Sequence, residues 1–218
     1  MSTVAVGVVP DVIAAELRGD IIEQRIAPGD PVTEAAVSQR FGVARPTARN
    51  AIERLVAEGL LRREAHHAAR VPRLTADDIR DLFDARALVE SAALARLAGT
   101  GSVPAAAVAA HRHLEQQARA GESFAADDIA FHRALVAAQP SPRLARMHEQ
   151  LLGEIELCIG QVQVHSLRTA ADVARQHQGI LDAVVAGRAE LAARLSHEHV
   201  TATRDLLLDH DESETRTW

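Results

Sequence analysis

Hydrophobic residues recur at helical spacing through most of the chain, and short clusters of glycine, proline and polar residues interrupt them. This pattern predicts a first helix from about 11 to 25, followed by a turn at 27–31. Thr33 is suited to cap a second helix that ends at about Arg40. From 60 to 71 the pattern predicts two short strands around a tip near 65–69, which together form a wing.

Residues 41–61 lie between the second helix and the wing and predict a recognition helix. Gly42 allows the left-handed backbone of a tight turn between two helices. The helix that follows carries its apolar residues on one inward stripe, formed by Ala48, Ile52, Leu55 and Val56. Gly59, after Glu58, ends the helix, because glycine is the usual residue just past a helix terminus.

Polar residues crowd the first turns of this helix, off the apolar stripe: Arg45, Thr47, Arg49 and Asn50. A helix that enters the major groove contacts bases with its N-terminal residues, and these side chains are suitable donors and acceptors. We therefore predict that these four residues bind double-stranded DNA. An amphipathic helix with a few surface arginines is the simpler alternative.

The second part of the chain is predicted to be entirely helical. Thr75 with Asp77 and Asp78 begins the first of six helices, and Gly121 and Gly187 are among the residues that separate them. The helices are predicted at about 76–98, 104–120, 123–138, 142–165, 170–186 and 188–209. The predicted fold is mainly α, with an N-terminal winged helix-turn-helix over 1–74 and an all-α helical bundle over 75–218.

The distribution of charge supports a nucleic-acid partner, although the formal net charge of the chain is −6. Residues 40–73 carry 8 Arg against 3 Glu, a local net charge of +5, whereas residues 75–218 carry 14 Arg against 21 Asp and Glu. A local basic patch favours contact with phosphates. Chance clustering of arginine is the alternative on charge alone.

Other features of the composition bear on the cellular setting. The single cysteine, Cys158, excludes an internal disulfide and is typical of a reducing cytosol, so a cytoplasmic location is expected. The first ten residues lack the positive start and the length of a signal peptide. No apolar run approaches the ~18 residues of a membrane span, so no membrane role is predicted.

A second set of chemistry-bearing residues lies in the helical part: Asp128, His132, His177 and His199. Asp128 and His132 are four residues apart and share one helix face, which is otherwise apolar. His177 and His199 each lie on the apolar stripe of their own helix. Buried polar groups are costly unless they are paired, so their position requires a reason.

Spacing brings the two later histidines together. His177 is 10 residues before Gly187 and His199 is 12 residues after it. If Gly187 turns an antiparallel helix pair, a rise of about 1.5 Å per residue returns both to nearly the same height. One carboxylate and three imidazoles inside a helical bundle predict a divalent transition metal, with zinc preferred and nickel, manganese or iron as alternatives.

Simpler interpretations exist for each piece of this set. An aspartate and a histidine four residues apart are usually a surface pair, and a lone inward histidine is usually hydrogen-bonded in a core. The remaining histidines are predicted at the surface by default: His66, His67, His111, His113, His148, His165, His197 and His210.

Both parts of the chain resemble one known family. Ala27-Pro28-Gly29, the segment Phe41–Ile52 and Glu58-Gly59-Leu60-Leu61 resemble the GntR family of bacterial transcription regulators. The second part resembles the FCD ligand-binding domain of the FadR subfamily. The residues that carry this likeness are Arg86 with Glu90, the segment Asp128–His132, the segment His177–Leu181, and Gly187 leading to His199.

The resemblance implies roles for individual residues. Arg45, Thr47 and Arg49 fall where the family contacts operator DNA, and His66 and His67 fall at the wing tip, which in relatives reaches the minor groove. Arg70, also on the wing, is included among the predicted DNA contacts. The metal ligands of the family fall on Asp128, His132, His177 and His199, and Arg86 falls where an effector carboxylate is held. A structural ion pair with Glu90 is the alternative for Arg86.

The sequence departs from the family pattern at Ala44, Asn50 and Ala68, and at Gln139-Pro140-Ser141, which replaces the usual Gly-Asn after the metal-binding helix. Ala44 replaces a common serine and removes a helix cap, and Asn50 replaces a common glutamate. Ala68 stands where the wing usually has glycine, so a positive φ at that position would be strained.

We therefore predict a homodimeric transcription regulator, more specifically a repressor, that binds operator DNA and responds to a small carboxylate held near a metal. It is not predicted to be an enzyme. Two alternatives are a metal-dependent hydrolase or lyase tethered to DNA, and an architectural DNA-binding protein with a structural metal.

Overall fold

The computed structural model describes residues 9–120 and 123–215 and divides the chain into two compact units, 1–73 and 74–218. Most of the first ten residues, and the predicted interruption at Gly121, lie outside the described residues. The first unit contains, in chain order, α1 (Val9–Ile22), β1 (Pro31–Val32), α2 (Glu34–Phe41), α3 (Arg45–Ala57) and β2 (Ala69–Arg70).

Local sequence explains where α2 and α3 begin and end. The Thr33 side chain accepts a hydrogen bond from the Ala36 backbone N–H at 3.2 Å and caps α2. Gly42 ends α2 with φ of 64°, the left-handed conformation that the sequence predicts. Helix α3 begins without a side-chain cap, because Ala44 has no oxygen to offer.

The core of the first unit is formed mainly where α1 and α3 pack together. Ala51 completes the buried face of α3, whereas Val56, predicted to be part of that face, is only half-buried. The buried apolar residues contributed by the three helices include Ile13, Ala14, Leu17, Ile21, Val37, Ala48, Ala51, Ile52 and Leu55. Because this stripe is buried, the opposite face of α3 is exposed to solvent.

The wing differs from the two strands that the sequence predicts. Strand β2 pairs antiparallel with β1, and Pro31 is opposite Arg70. The segment that starts at Leu60 contributes only a single bridge, between Arg62 and Arg70. β1 falls within and just beyond the predicted turn, and two-residue strands are too short to produce an alternating pattern.

The second unit is helical in all its described elements, and its boundaries lie within a few residues of those predicted, except that the last helix extends further. Its helices are α4 (Ala76–Ala98), α5 (Ala105–Ala120), α6 (Ala125–Ala138), α7 (Pro142–Val164), α8 (Ala170–Val185) and α9 (Ala189–Thr215). Thr75 and Asp78 form a reciprocal capping box at the start of α4. The mainly α fold is confirmed.

A continuous apolar core joins the helices of the second unit. Phe131, Leu135 and Ile180 are among its most deeply buried members. Gly187, with φ of 68°, turns the chain between α8 and α9, as predicted. Over the ranges that the structure describes, no helix is both long and apolar enough to cross a membrane.

Candidate metal centre and nucleic-acid interface

Helix α3 presents its predicted DNA-binding residues on the side away from the core. Arg45, Arg49 and Asn50 are exposed, and Thr47 is half-buried. These four side chains occupy the first two turns of the helix. This arrangement has the form of a helix tip that can enter a major groove.

Arg49 is held by an acidic partner from the neighbouring helix. Its Nε donates to Oε1 of Glu34 at 2.8 Å, and its Nη2 donates to Oε2 of the same carboxylate at 3.2 Å. The hydrogen bonds from Arg49 lower the pKa of Glu34, and the positive charges of Arg63 and Arg45 lower it further. Glu34 is absent from the predicted interface, because its distance from Arg49 in sequence hides the contact.

The wing tip contains the predicted histidines. His66 and His67 are exposed at the turn. A positive φ, which would be strained at Ala68, falls instead on His66, at 65°. Arg70 is exposed, and its Nη1 donates to the Gly29 carbonyl at 2.8 Å.

Three helices of the second unit bring the predicted metal-binding residues together. Asp128 and His132 come from α6, His177 from α8 and His199 from α9. Each offers one potential ligand atom, and these four atoms lie within 4.8 Å of one another. Asp128 Oδ1 is 3.2 Å from His177 Nε2 and 3.7 Å from His199 Nε2.

Burial sets the protonation state of this cluster, because all four side chains are shielded from solvent. Burial lowers the pKa of His177 and of His199 to about 4, and it also lowers the pKa of His132. Burial alone would raise the pKa of Asp128, but the adjacent imidazoles outweigh it and lower that pKa well below its ordinary value. Neutral imidazoles and an ionised carboxylate are the forms that bind metal ions.

Two side chains contact the Nδ1 atoms of His199 and His132. Gln176 Oε1 lies 2.7 Å from His199 Nδ1. Because an amide oxygen can only accept, this contact places the ring proton on Nδ1 and leaves Nε2 free to coordinate. Glu90 Oε2 lies 2.7 Å from His132 Nδ1, an ion-pair distance at which the two atoms lack hydrogen-bond geometry.

Glu90 is the centre of a buried charged network, of which the sequence predicted only the ion pair with Arg86. Its Oε1 accepts from Arg86 Nε at 2.8 Å and from His148 Nε2 at 2.9 Å. His148 is therefore buried, and so is His111, which contacts Gln178 at 3.0 Å. The predicted surface location of these two histidines is wrong, because long-range packing supplies partners that the sequence pattern does not reveal.

Arg86 lies inside this network, next to the metal-binding cluster. It is 1% exposed, and its Nη2 is 3.7 Å from Asp128 Oδ2. The ion pair with Glu90, which was the alternative to an effector-binding role, is present. Its Nη1 has no hydrogen-bond partner among the described residues, so one edge of the guanidinium remains available for an anion.

The donor set fits a first-row transition metal. His132 Nε2, His177 Nε2 and Asp128 Oδ2 are buried without a hydrogen-bond partner in the described part of the chain. Unpaired buried polar atoms are costly, and coordination by a cation removes that cost. Imidazole and carboxylate ligands suit zinc and several neighbouring metals.

Comparison with known families covers both units. Residues 11–71 match the model for bacterial regulatory proteins of the gntR family, and residues 81–202 match the FCD domain. A curated relative, the "Probable D-xylose utilization operon transcriptional repressor" of Paenarthrobacter nicotinovorans, is 30% identical over 195 residues, which are 84% of this chain and 81% of the relative. The HTH-type transcriptional repressor GlaR of Escherichia coli (strain K12) is 27% identical over 84% of this chain and 89% of its own.

A solved structure supports the same fold. A transcriptional regulator GntR from Rhodococcus sp. RHA1 superposes with a TM-score of 0.74 and 22% identity. The match covers 92% of this chain and 97% of the other.

Proposed function

Because the chain belongs to the GntR family of bacterial regulatory proteins and carries an FCD domain, we propose that this transcription regulator is a repressor controlled by a small carboxylate bound beside a metal ion. Its families and curated relatives are regulators rather than enzymes, so the hydrolase or lyase alternative is not retained.

The proposed DNA contacts come from α3 and the wing. Arg45, Arg49 and Asn50 are exposed in the first turns of α3, where a recognition helix meets base edges. Thr47 lies beside them, and the exposed wing residues His66, His67 and Arg70 complete the set. In a homodimer, two such surfaces would bind a palindromic operator whose half-site spacing matches the dimer.

The observation that carries the proposed sensing role is the buried cluster of Asp128, His132, His177 and His199, whose ligand atoms lie within 4.8 Å of one another. A metal held by these four residues would supply a Lewis-acidic centre that attracts the oxygen atoms of an effector. Arg86, whose Nη2 lies 3.7 Å from Asp128 Oδ2 and whose Nη1 has no hydrogen-bond partner among the described residues, would hold the carboxylate of the effector.

The names of two curated relatives, each described as a repressor, support the proposed repressor role. A repressor that binds DNA through one unit and a ligand through the other needs a coupling free energy between the two sites. The architectural alternative requires a metal with no such coupling.

The proposal is tested by selecting bound duplexes from a randomised DNA library with the purified, zinc-loaded protein. We expect enrichment of a palindromic sequence and a preference for it, over a scrambled duplex of the same composition, of about 10³-fold or more at physiological salt. Equal affinity for the two duplexes would overturn the proposal. Arg45→Ala, at the tip of α3, should reduce the preference.

A further inference from the structure

The Glu34–Arg49 pair lies in the middle of the proposed DNA-binding surface, where an acidic side chain is unexpected. Phosphates repel a carboxylate, and within 40–73 basic residues outnumber acidic ones by 8 to 3. Glu34 stands just ahead of that basic segment, in the first turn of α2, and its carboxylate accepts from two nitrogens of Arg49. Such two-point geometry is more specific than a single charge contact.

The pair restricts what Arg49 can offer to DNA. Glu34 occupies the guanidinium edge formed by Nε and Nη2, so the Nη1 side remains for a base or a phosphate. A free arginine side chain rotates about several bonds and can follow any phosphate, whereas a fixed one presents its donors in a single direction. Arg49 is 58% exposed at its side chain, so this contact, and not burial, limits its direction.

Glu34 also faces two further cations. The positive charges of Arg63 and Arg45 lower the pKa of its carboxylate, in addition to the effect of Arg49. One negative group therefore lies among three arginines of the same surface. A carboxylate in that position weakens attraction to DNA of any sequence, because non-specific binding is governed by phosphate charge.

We propose that Glu34 is a positioning residue for DNA recognition: it fixes Arg49 for sequence-specific contact and suppresses non-specific binding. This inference rests on the proposed function, in which α3 enters the major groove. Specificity is a difference between two affinities: the orientation of Arg49 raises the affinity for the correct site alone, whereas the negative charge of Glu34 lowers the affinity for every duplex.

The test uses the full chain, the duplex that the wild type selects from a random library, and a scrambled duplex of the same composition. Glu34→Gln should reduce the preference for the selected duplex about tenfold. Its binding to the scrambled duplex should become tighter, with a salt slope steeper by about 0.9, which is about a 3.5-fold larger loss of affinity between about 50 and 200 mM salt.

Glu53→Gln is the matched control. Glu53 lies one turn after Arg49 on α3, and its negative charge raises the pKa of Arg49. The two side chains make no hydrogen bond with each other in the described structure. The substitution removes the same charge without releasing Arg49, so it should leave the preference for the selected duplex unchanged. If Glu34→Gln and Glu53→Gln behave alike, the role of Glu34 is overturned and only net charge matters.

Two further variants separate position from charge and from stability. Glu34→Asp keeps the charge but shortens the side chain, so it should restore wild-type binding to the scrambled duplex and not the preference. In an Arg49→Ala background, Glu34→Gln should cause no further loss of preference, because the residue it orients is gone. A loss of the same size in that background would overturn the inference and indicate a role in stabilising α2.

The outcomes also separate this inference from the proposed function. A wild-type chain that enriches no sequence overturns both. A wild-type chain that enriches a sequence, with Glu34→Gln matching the wild type in preference and salt slope, overturns the role of Glu34 alone.

Discussion

His177 is the most informative single residue of the proposed metal site. Its side chain is fully buried and stacks on Phe131 with ring centroids 3.8 Å apart. Neither ring nitrogen has a hydrogen-bond partner among the described residues. Asp128 Oδ1 lies 3.2 Å from Nε2 without hydrogen-bond geometry, and coordination through Nε2 would remove the share of the burial cost that this nitrogen carries.

We therefore expect His177→Ala to abolish metal binding and the stability that metal provides. At a free zinc concentration of about 100 times the dissociation constant, zinc should stabilise the wild type by about 2.7 kcal/mol and the variant not at all. Elemental analysis and thermal unfolding with and without zinc measure both quantities. The cavity left by the substitution lowers the melting temperature in either case, so the zinc-induced shift is the decisive measurement.

His197→Ala is the control for this prediction. His197 is exposed on α9, two residues before His199. It should bind zinc and show the same zinc-induced shift as the wild type. Retention of one equivalent of zinc by His177→Ala would contradict the assignment.

The same buried histidines predict how the metal-free protein responds to acid. Burial lowers the pKa of His177 and His199 to about 4, whereas an unfolded histidine titrates near 6.5. Between these values the unfolded chain binds protons that the folded chain does not, so stability falls as the pH falls. Each histidine should lower the free energy of unfolding by about 1.4 kcal/mol per pH unit between about pH 6.5 and 4.

Urea unfolding after treatment with a chelator, followed by circular dichroism at several pH values, measures this slope. His177→Ala should remove the contribution of one histidine from it. A free energy of unfolding that is constant from pH 6.5 to 5 would be incompatible with neutral buried histidines.

The residues of this cluster can be predicted from the sequence better than their surroundings. Asp128 and His132 share a helix face by spacing, and His177 and His199 flank one turn, so local geometry suffices to group them. Glu90 belongs to α4 and meets the cluster only through tertiary packing. No local pattern encodes such a contact.

At the scale of elements, α3 begins with a weakness that a single substitution can remove. Ala44 occupies the N-cap position with φ of −66° and ψ of 148°, the extended conformation of a capping residue, but makes no side-chain hydrogen bond. Ala44→Ser would supply a side-chain oxygen to the Thr47 N–H, because Pro46 at the preceding position has no N–H to donate. We expect it to stabilise the protein by about 1 kcal/mol.

Chemical denaturation of the wild type, Ala44→Ser and Ala44→Gly measures this effect. Glycine supplies no oxygen, so any gain with it should be smaller than that with serine. A serine variant no more stable than the glycine variant would mean that the exposed N–H groups are already satisfied.

The elements themselves differ in how well the sequence predicts them. Helices of 13 to 27 residues, such as α3 and α9, repeat their apolar spacing several times, which averages out exceptions such as Val56. Strands β1 and β2 have two residues each and depend on pairing between distant segments. Pro31 belongs to a sequence typical of a turn, so its position opposite Arg70 in the strand pair is seen only in the structure.

At the scale of the whole molecule, the proposed function requires that ligand binding to one unit be energetically coupled to DNA binding by the other. If a small carboxylate binds beside the metal and controls operator binding, it must bind the DNA-bound and DNA-free states with different affinities. We expect a change in operator affinity of about 5- to 150-fold, equivalent to about 1–3 kcal/mol. A thermal-shift screen of small mono- and dicarboxylates with zinc present would choose the compound.

Reciprocity makes this last prediction stringent. Saturating operator must change the affinity for the carboxylate by the same factor, because coupling between two equilibria is symmetric. Arg86→Lys keeps the charge beside Glu90 but loses the planar fork, so it should weaken carboxylate binding while retaining zinc. Titration of each ligand in the presence and absence of the other measures both factors. A selective operator complex whose affinity no carboxylate changes would favour the architectural alternative, in which the buried metal serves the fold alone.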